Sequence, residues 1–125
     1  MTAASGFYPG RAPIDAYGNG GFRFAGMSHR GSLLLLPGGI QAWRPVAGDA
    51  LTPEDFAEAF AHKEDFAFLL LGTGARQIFP NRALRAAFDD RGLGLEPMAT
   101  GAACRTYNVL LAESRPVAAA LIAVD

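Results

Sequence analysis

Four residues in this chain have the types and spacing to bind an anion: Gly72, Thr73, Gly74 and Arg76, set directly after the apolar run FAFLLL. Glycines let backbone N–H groups approach a negative group, a threonine hydroxyl adds one more bond, and a guanidinium supplies charge. The pattern matches no nucleotide signature. The dinucleotide fingerprint needs a third glycine where Gln77 stands, and the phosphate-binding loop needs a Gly-Lys-Ser/Thr sequence that is missing. Two readings stay open, a pocket for a small molecule or anion and a purely structural turn. Thr100 and Gly101 hold the matching position after the next apolar stretch, so they and the first amides beyond them could face the same crevice. The alternative is that Thr100 simply caps a helix whose first turn tolerates Gly101.

The remaining reactive side chains form no set. Cys104 falls with Ala103, Tyr107, Leu110 and Leu111 on one helical stripe, which predicts a packed thiol, and neither His29 nor His62 is spaced to activate it. Two isolated histidines and one cysteine offer no metal-ligand spacing, and no cofactor is expected. Ser28, Ser32 and Ser114 lie in no nucleophile elbow. Asp89 and Asp90, beside Arg91, read as a solvated helix end. Arg105 and Asn108 lie on the more polar side of the Cys104 helix, either as a partner surface or merely in water. Trp43, closing an apolar stretch, is an exposed contact point or a core residue.

The elements that must carry these residues change character along the chain. From Ile14 the pattern is β: IDAY, a reversal at Asn19-Gly20, then FRFAG with Phe22 and Phe24 alternating against Arg23. SHRGSLLLL is expected to extend this meander as a longer strand, turned at Pro37-Gly38-Gly39 into IQAW. Then come a helix capped by Thr52 with Pro53 in its first turn, and an apolar strand from Phe66 to Leu71. A second helix starts near Pro80 or Asn81 and stops at Gly92, followed by the strand LGLEPM, a third helix from TGAAC, and the strand PVAAALIAV. Continuous apolar strands alternating with helices predict an α/β three-layer sandwich, a mixed central sheet flanked by helices, with an N-terminal hairpin or meander. Residues 1–13 are expected to be a loose lead-in and residues 14–125 one α/β domain.

Bulk properties narrow the partners. Eleven basic residues against twelve acidic ones give a net charge of -1, too little field to favour nucleic acid. No apolar run reaches the roughly 20 residues that span a bilayer, so no direct membrane insertion is expected. The first residues have no hydrophobic signal core, and a lone cysteine fits a reducing compartment, so a cytoplasmic location is expected.

Read together, GGFRFAG, GSLLLLPGGIQAW, LLLGTGARQIFP and GLGLEPMATGAACRTYNVLLAESRPVAAALI resemble domain-of-unknown-function family 498. That family includes the third assembly factor of mitochondrial respiratory complex I and the adipogenesis-associated domain proteins. The resemblance runs from Ile14 to Val124 and implies a three-layer α/β fold with a mixed sheet. For its mitochondrial members it also implies a non-enzymatic role in building complex I. With no presequence expected, this chain reads as a bacterial member, expected to have an assembly or scaffold role linked to complex I assembly or membrane-protein biogenesis. The expected partner is an unidentified protein, complex I subunits and assembly factors among the candidates. An uncovered meander edge leaves a homodimer open. The family supplies no catalytic residues to carry over, so the alternative function is a small-molecule or anion-binding protein or enzyme using the Gly-Thr-Gly crevice.

Overall fold

Asn19 and Gly20, at φ 52° and 79°, reverse the chain between β1 (Ile14–Gly18) and β2 (Gly21–Phe24). Paired positive φ values match the right-handed twist of the strands they join. The computed structural model describes residues 8–125. A second reversal of the same kind at Ala25-Gly26, φ 51° and 75°, leads into β3 (Met27–Arg30). The register Phe22 to His29 and Phe24 to Met27 buries both phenylalanines and turns Arg23 outward.

The single longer strand expected over SHRGSLLLL is corrected. Gly31 takes φ 96°, a backbone open to glycine and unfavourable for other residues, and it redirects the chain. β3 therefore closes a three-stranded sheet, β1-β2-β3, while β4 (Ser32–Leu36) begins a second sheet.

That second sheet adds β5 (Gly39–Trp43), β6 (Phe68–Gly72), β7 (Gly94–Met98) and β8 (Ala118–Leu121) in the order β5-β4-β8-β6-β7. It is mixed: β4 runs antiparallel to β5 and β8, and β6 runs parallel to β7 and β8. Its side chains sort by parity. Leu34, Leu36, Leu69, Leu71, Ala118 and Ala120 join one apolar cluster; Leu33, Leu35, Leu70, Ala119 and Leu121 join the other. Each fully buried leucine contributes about 1.5–3 kcal/mol, so this sheet is the core.

Three helices cover it. The first is shorter than the sequence implied: a 3₁₀ turn over Pro53–Phe56 runs into α1 (Ala57–Ala61). α2 (Arg82–Asp90) is capped by Asn81, whose Oδ1 accepts from the Leu84 N–H at 2.8 Å, and Gly92 at φ 69° ends it. α3 (Thr100–Ala112) lies on the opposite face, where Ala103, Cys104 and Tyr107 are buried. From β6 the chain moves one way to β7, then returns past β6 to β8. Crossovers of one hand therefore place α2 and α3 on opposite faces. The layers are α1 with α2, the five-stranded sheet, and α3 beside the three-stranded sheet.

Of the expected loose lead-in, residues 1–7 fall outside the described residues. Beyond them, Tyr8 exchanges backbone bonds of 2.7 and 2.8 Å with Ile40, and Ala12 is buried. The Arg11 guanidinium donates to the Arg115 carbonyl.

Candidate functional site

Neighbouring parallel strands whose following helices go to opposite faces leave a crevice beyond their carboxyl ends, the usual ligand position in such sheets. β6 and β7 are that pair, and Gly72-Thr73-Gly74 and Ala99-Thr100-Gly101 are its lips. Here the lips are bonded to each other. The Thr73 N–H donates to the Met98 carbonyl at 2.9 Å and the Thr100 N–H to the Gly74 carbonyl at 2.8 Å. The Gly74 N–H donates to Thr100 Oγ1 at 3.0 Å, and that hydroxyl donates onward to the Ile122 carbonyl at 2.7 Å. Thr73 Oγ1 donates to the Arg76 carbonyl at 2.7 Å and accepts from the Ile78 N–H at 3.0 Å.

The amides of Thr73 and Gly74, which an anion would need, are thus already paired within the protein. Gly72 is a close-approach position: a Cβ there would lie 3.0 Å from Thr100 Oγ1. Thr100 is fully buried and does not cap α3 as the sequence implied. Ala99 holds the cap position, and no side chain satisfies the helix amides there. The threonine faces back into the crevice because the two backbone groups waiting there would otherwise be buried without partners.

Outside the bonded lips lies a hollow of about 730 Å³. Thr73, Gly74 and Gly101 reach its wall with Arg105, which the sequence left open between a partner surface and solvent. Arg76 is exposed and is not part of this wall. Tyr17, Gly48 and Asp125 also line the hollow without having been singled out in the sequence, and Asp125 puts a carboxylate in the wall opposite in sign to Arg105. Tyr17 packs on Gly101, where a Cβ would collide with its hydroxyl, and a Cβ on Gly48 would collide with the Thr73 carbonyl. No local pattern announces these contacts, which come from the sheet topology.

Asn108 is held inside the fold. Its Oδ1 accepts from the Ile14 N–H and its Nδ2 donates to the Ile14 carbonyl, both at 2.8 Å, so the amide stands in for a neighbouring strand. Burial pushes the Cys104 thiol up to about 12, with Arg105 pulling weakly the other way. A thiol of that pKa carries no useful thiolate at neutral pH. Tyr107 is also raised by burial, opposed by the Arg11 guanidinium. Trp43 is a core residue, its Nε1 donating to the Asp55 carbonyl at 2.8 Å and its ring edge-on to Phe56. Asp89 and Asp90 are exposed. Among the described residues no group of three His, Cys, Asp or Glu side chains could hold a metal. No helix there is long and apolar enough to cross a membrane.

With this geometry in hand, similarity to known proteins is informative. An uncharacterized protein of Rhodobacter capsulatus is 38% identical over 115 residues, covering 92% of this chain and 87% of that protein. The mouse NADH dehydrogenase (ubiquinone) 1 alpha subcomplex assembly factor 3 is 30% identical over 115 residues, 92% of this chain but 62% of its own length. A crystal structure described as an outer membrane protein from Bartonella henselae superposes with a TM-score of 0.90 at 47% identity, covering 94% of this chain and 99% of that one. The family model described as protein of unknown function (DUF498/DUF598) matches residues 14–122. On that match, which takes in both sheets and all three helices, the chain belongs to the DUF498/DUF598 family.

Proposed function

We propose that this chain is a non-enzymatic assembly or scaffold protein that serves respiratory complex I assembly or membrane-protein biogenesis from the cytoplasm. The observation that carries the proposal is the 30% identity to mouse assembly factor 3 along 92% of this chain. The mouse protein extends well beyond the shared part, so any role placed in its remaining length does not transfer. The Cys104 thiol, pushed up to about 12 by burial, and the glycine loop, bonded to its neighbours, supply no nucleophile for the rival reading. The cytoplasmic placement rests on the sequence reading alone. The rival reading, a small-molecule or anion site at the Gly-Thr-Gly crevice, is weaker because two of its amides are already paired.

Deleting the gene in its own organism and measuring mature NADH:ubiquinone oxidoreductase in membranes tests the proposal. The mature complex should fall and return when the gene is restored. Normal levels of the complex in the deletion strain would overturn the reading.

A further inference from the structure

Sheet edges attract other strands unless something blocks them, and the edges of this protein are treated unequally. Tyr8 covers β5 at Ile40. β7 carries Pro97, which has no N–H to offer, and the Gln77 side chain donates to the Pro97 carbonyl at 2.9 Å. β1 is occupied at Ile14 by the Asn108 amide. β3 is different: it closes its sheet, and its residues Met27, Ser28 and Arg30 are exposed.

The register shows which backbone groups of β3 are left open among the described residues. The Gly31 N–H donates to the Gly20 carbonyl at 2.7 Å, and bonded pairs alternate with unbonded ones along an antiparallel ladder. His29 and Met27 therefore bond to β2, while the N–H and C=O of Ser28 and Arg30 point away from it. These are the groups an added strand would use.

Charge supplies the character of that strand. The small sheet carries one carboxylate, Asp15 on β1, and from there to Asp49 the sequence has no Asp or Glu but holds Arg23 and Arg30 on that sheet and Arg44 beyond it. A hollow of about 390 Å³ lies over the three-stranded sheet and reaches β3, lined by Ala16 and Tyr17 of β1, Gly21 and Arg23 of β2, and Ser28 and Arg30 of β3 among others, with no carboxylate among the described residues of its wall. Small residues (Ala16, Gly18, Gly21 and Ser28) make room between Tyr17 and the guanidinium groups of Arg23 and Arg30, which give the hollow a positive sign. A second copy is disfavoured as occupant, because pairing β3 with itself would put the Arg30 guanidinium groups of both copies on adjoining strands, with Arg23 of each one strand behind.

We propose that β3 is a docking edge, which takes up an extended acidic segment of a partner protein as a fourth strand with its carboxylates over Arg23 and Arg30. This deepens the scaffold reading by giving the partner segment a chemistry, and it rests on that reading only for the partner being a protein.

The probe is a short synthetic peptide of alternating glutamate and valine, with a control in which lysine replaces glutamate, followed by backbone amide NMR on the full chain. The glutamate peptide should shift the amides of Ser28 and Arg30 and the lysine peptide should not. Arg30→Glu should weaken glutamate-peptide binding roughly tenfold, the scale of one charge-assisted hydrogen bond, and should favour the lysine peptide. Ser28→Pro should abolish binding, since the Ser28 N–H is not used by β2. If Ser28→Pro does not fold, the charge swap at Arg30 decides alone. No binding of the glutamate peptide, equal binding of both peptides, or binding unaffected by these substitutions would overturn the proposal. So would sedimentation showing β3 already filled by a second copy. Peptide binding and the deletion phenotype are read separately, so either proposal can fail without the other.

Discussion

The two sheets handle the same physical problem, what to do with backbone and side chains beside water, in opposite ways. The five-stranded sheet is covered on both faces, and Leu69, Leu70 and Leu71 are buried in succession with their side chains sent to alternate clusters. Even its rim is closed, since Gly74 and Thr100 bond to each other, Thr73 bonds to Met98 of β7, and Thr100 bonds to Ile122 at the end of β8. The three-stranded sheet buries one face through Phe22 and Phe24 and leaves the other, with Arg23, Ser28 and Arg30, to solvent. The fold's stability therefore resides in the first sheet, and the second carries the open edge on which the docking proposal rests.

A carboxylate placed in each sheet gives the widest separation. Leu70→Asp puts a charge among apolar side chains at a position 2% exposed, at a cost of about 5 kcal/mol or more. That is comparable to the whole stability of a typical domain, and soluble expression should be lost. Ser28→Asp, on the exposed face of β3, should change stability by no more than about 0.5 kcal/mol. Chemical denaturation of both proteins checks the pair, and a normally folded Leu70→Asp would break the comparison.

A smaller effect is expected at the rim. Thr100→Val keeps the shape and removes the hydroxyl that joins the Gly74 N–H to the Ile122 carbonyl. Two buried groups then lack partners, which should cost about 2–5 kcal/mol. A valine variant as stable as the parent would mean that water or a ligand substitutes for the hydroxyl, and would restore the rim as a candidate binding site.

The parts of this fold that were legible in the sequence are those fixed by local chemistry. Asn19-Gly20, Asn81 and Gly92 mark their turn, cap and stop by residue type, and the apolar runs mark the covered strands. The break at Gly31 was not legible, because a glycine between SHR and SLLLL is compatible with one bent strand until it is known that the two halves join different sheets. The cap reading of Thr100 failed for a related reason: a threonine at a helix start has a local partner available, and only the topology brings Gly74 and Ile122 to it. The glycines after Leu71 were correctly placed at the end of a covered strand, but sequence cannot tell whether their amides face a ligand or a neighbouring strand. The positive side of the small sheet was in plain view as a stretch from Ala16 to Gly48 without a carboxylate. Whole-chain charge near zero concealed it.

Arg76 gives the smallest and most discriminating prediction. The contact made by this residue in the rim is its carbonyl accepting from Thr73 Oγ1, and a truncated side chain leaves that carbonyl in place. The guanidinium itself is exposed and lies outside the wall of the hollow. Arg76→Ala should therefore leave stability within about 0.5 kcal/mol of the parent, with the same thermal-shift response to added sulfate. A sulfate response present in the parent and lost in the variant would show that the loop can gather an anion despite its paired amides, and the contrast between a closed rim and an open edge would have to be redrawn with both as binding surfaces.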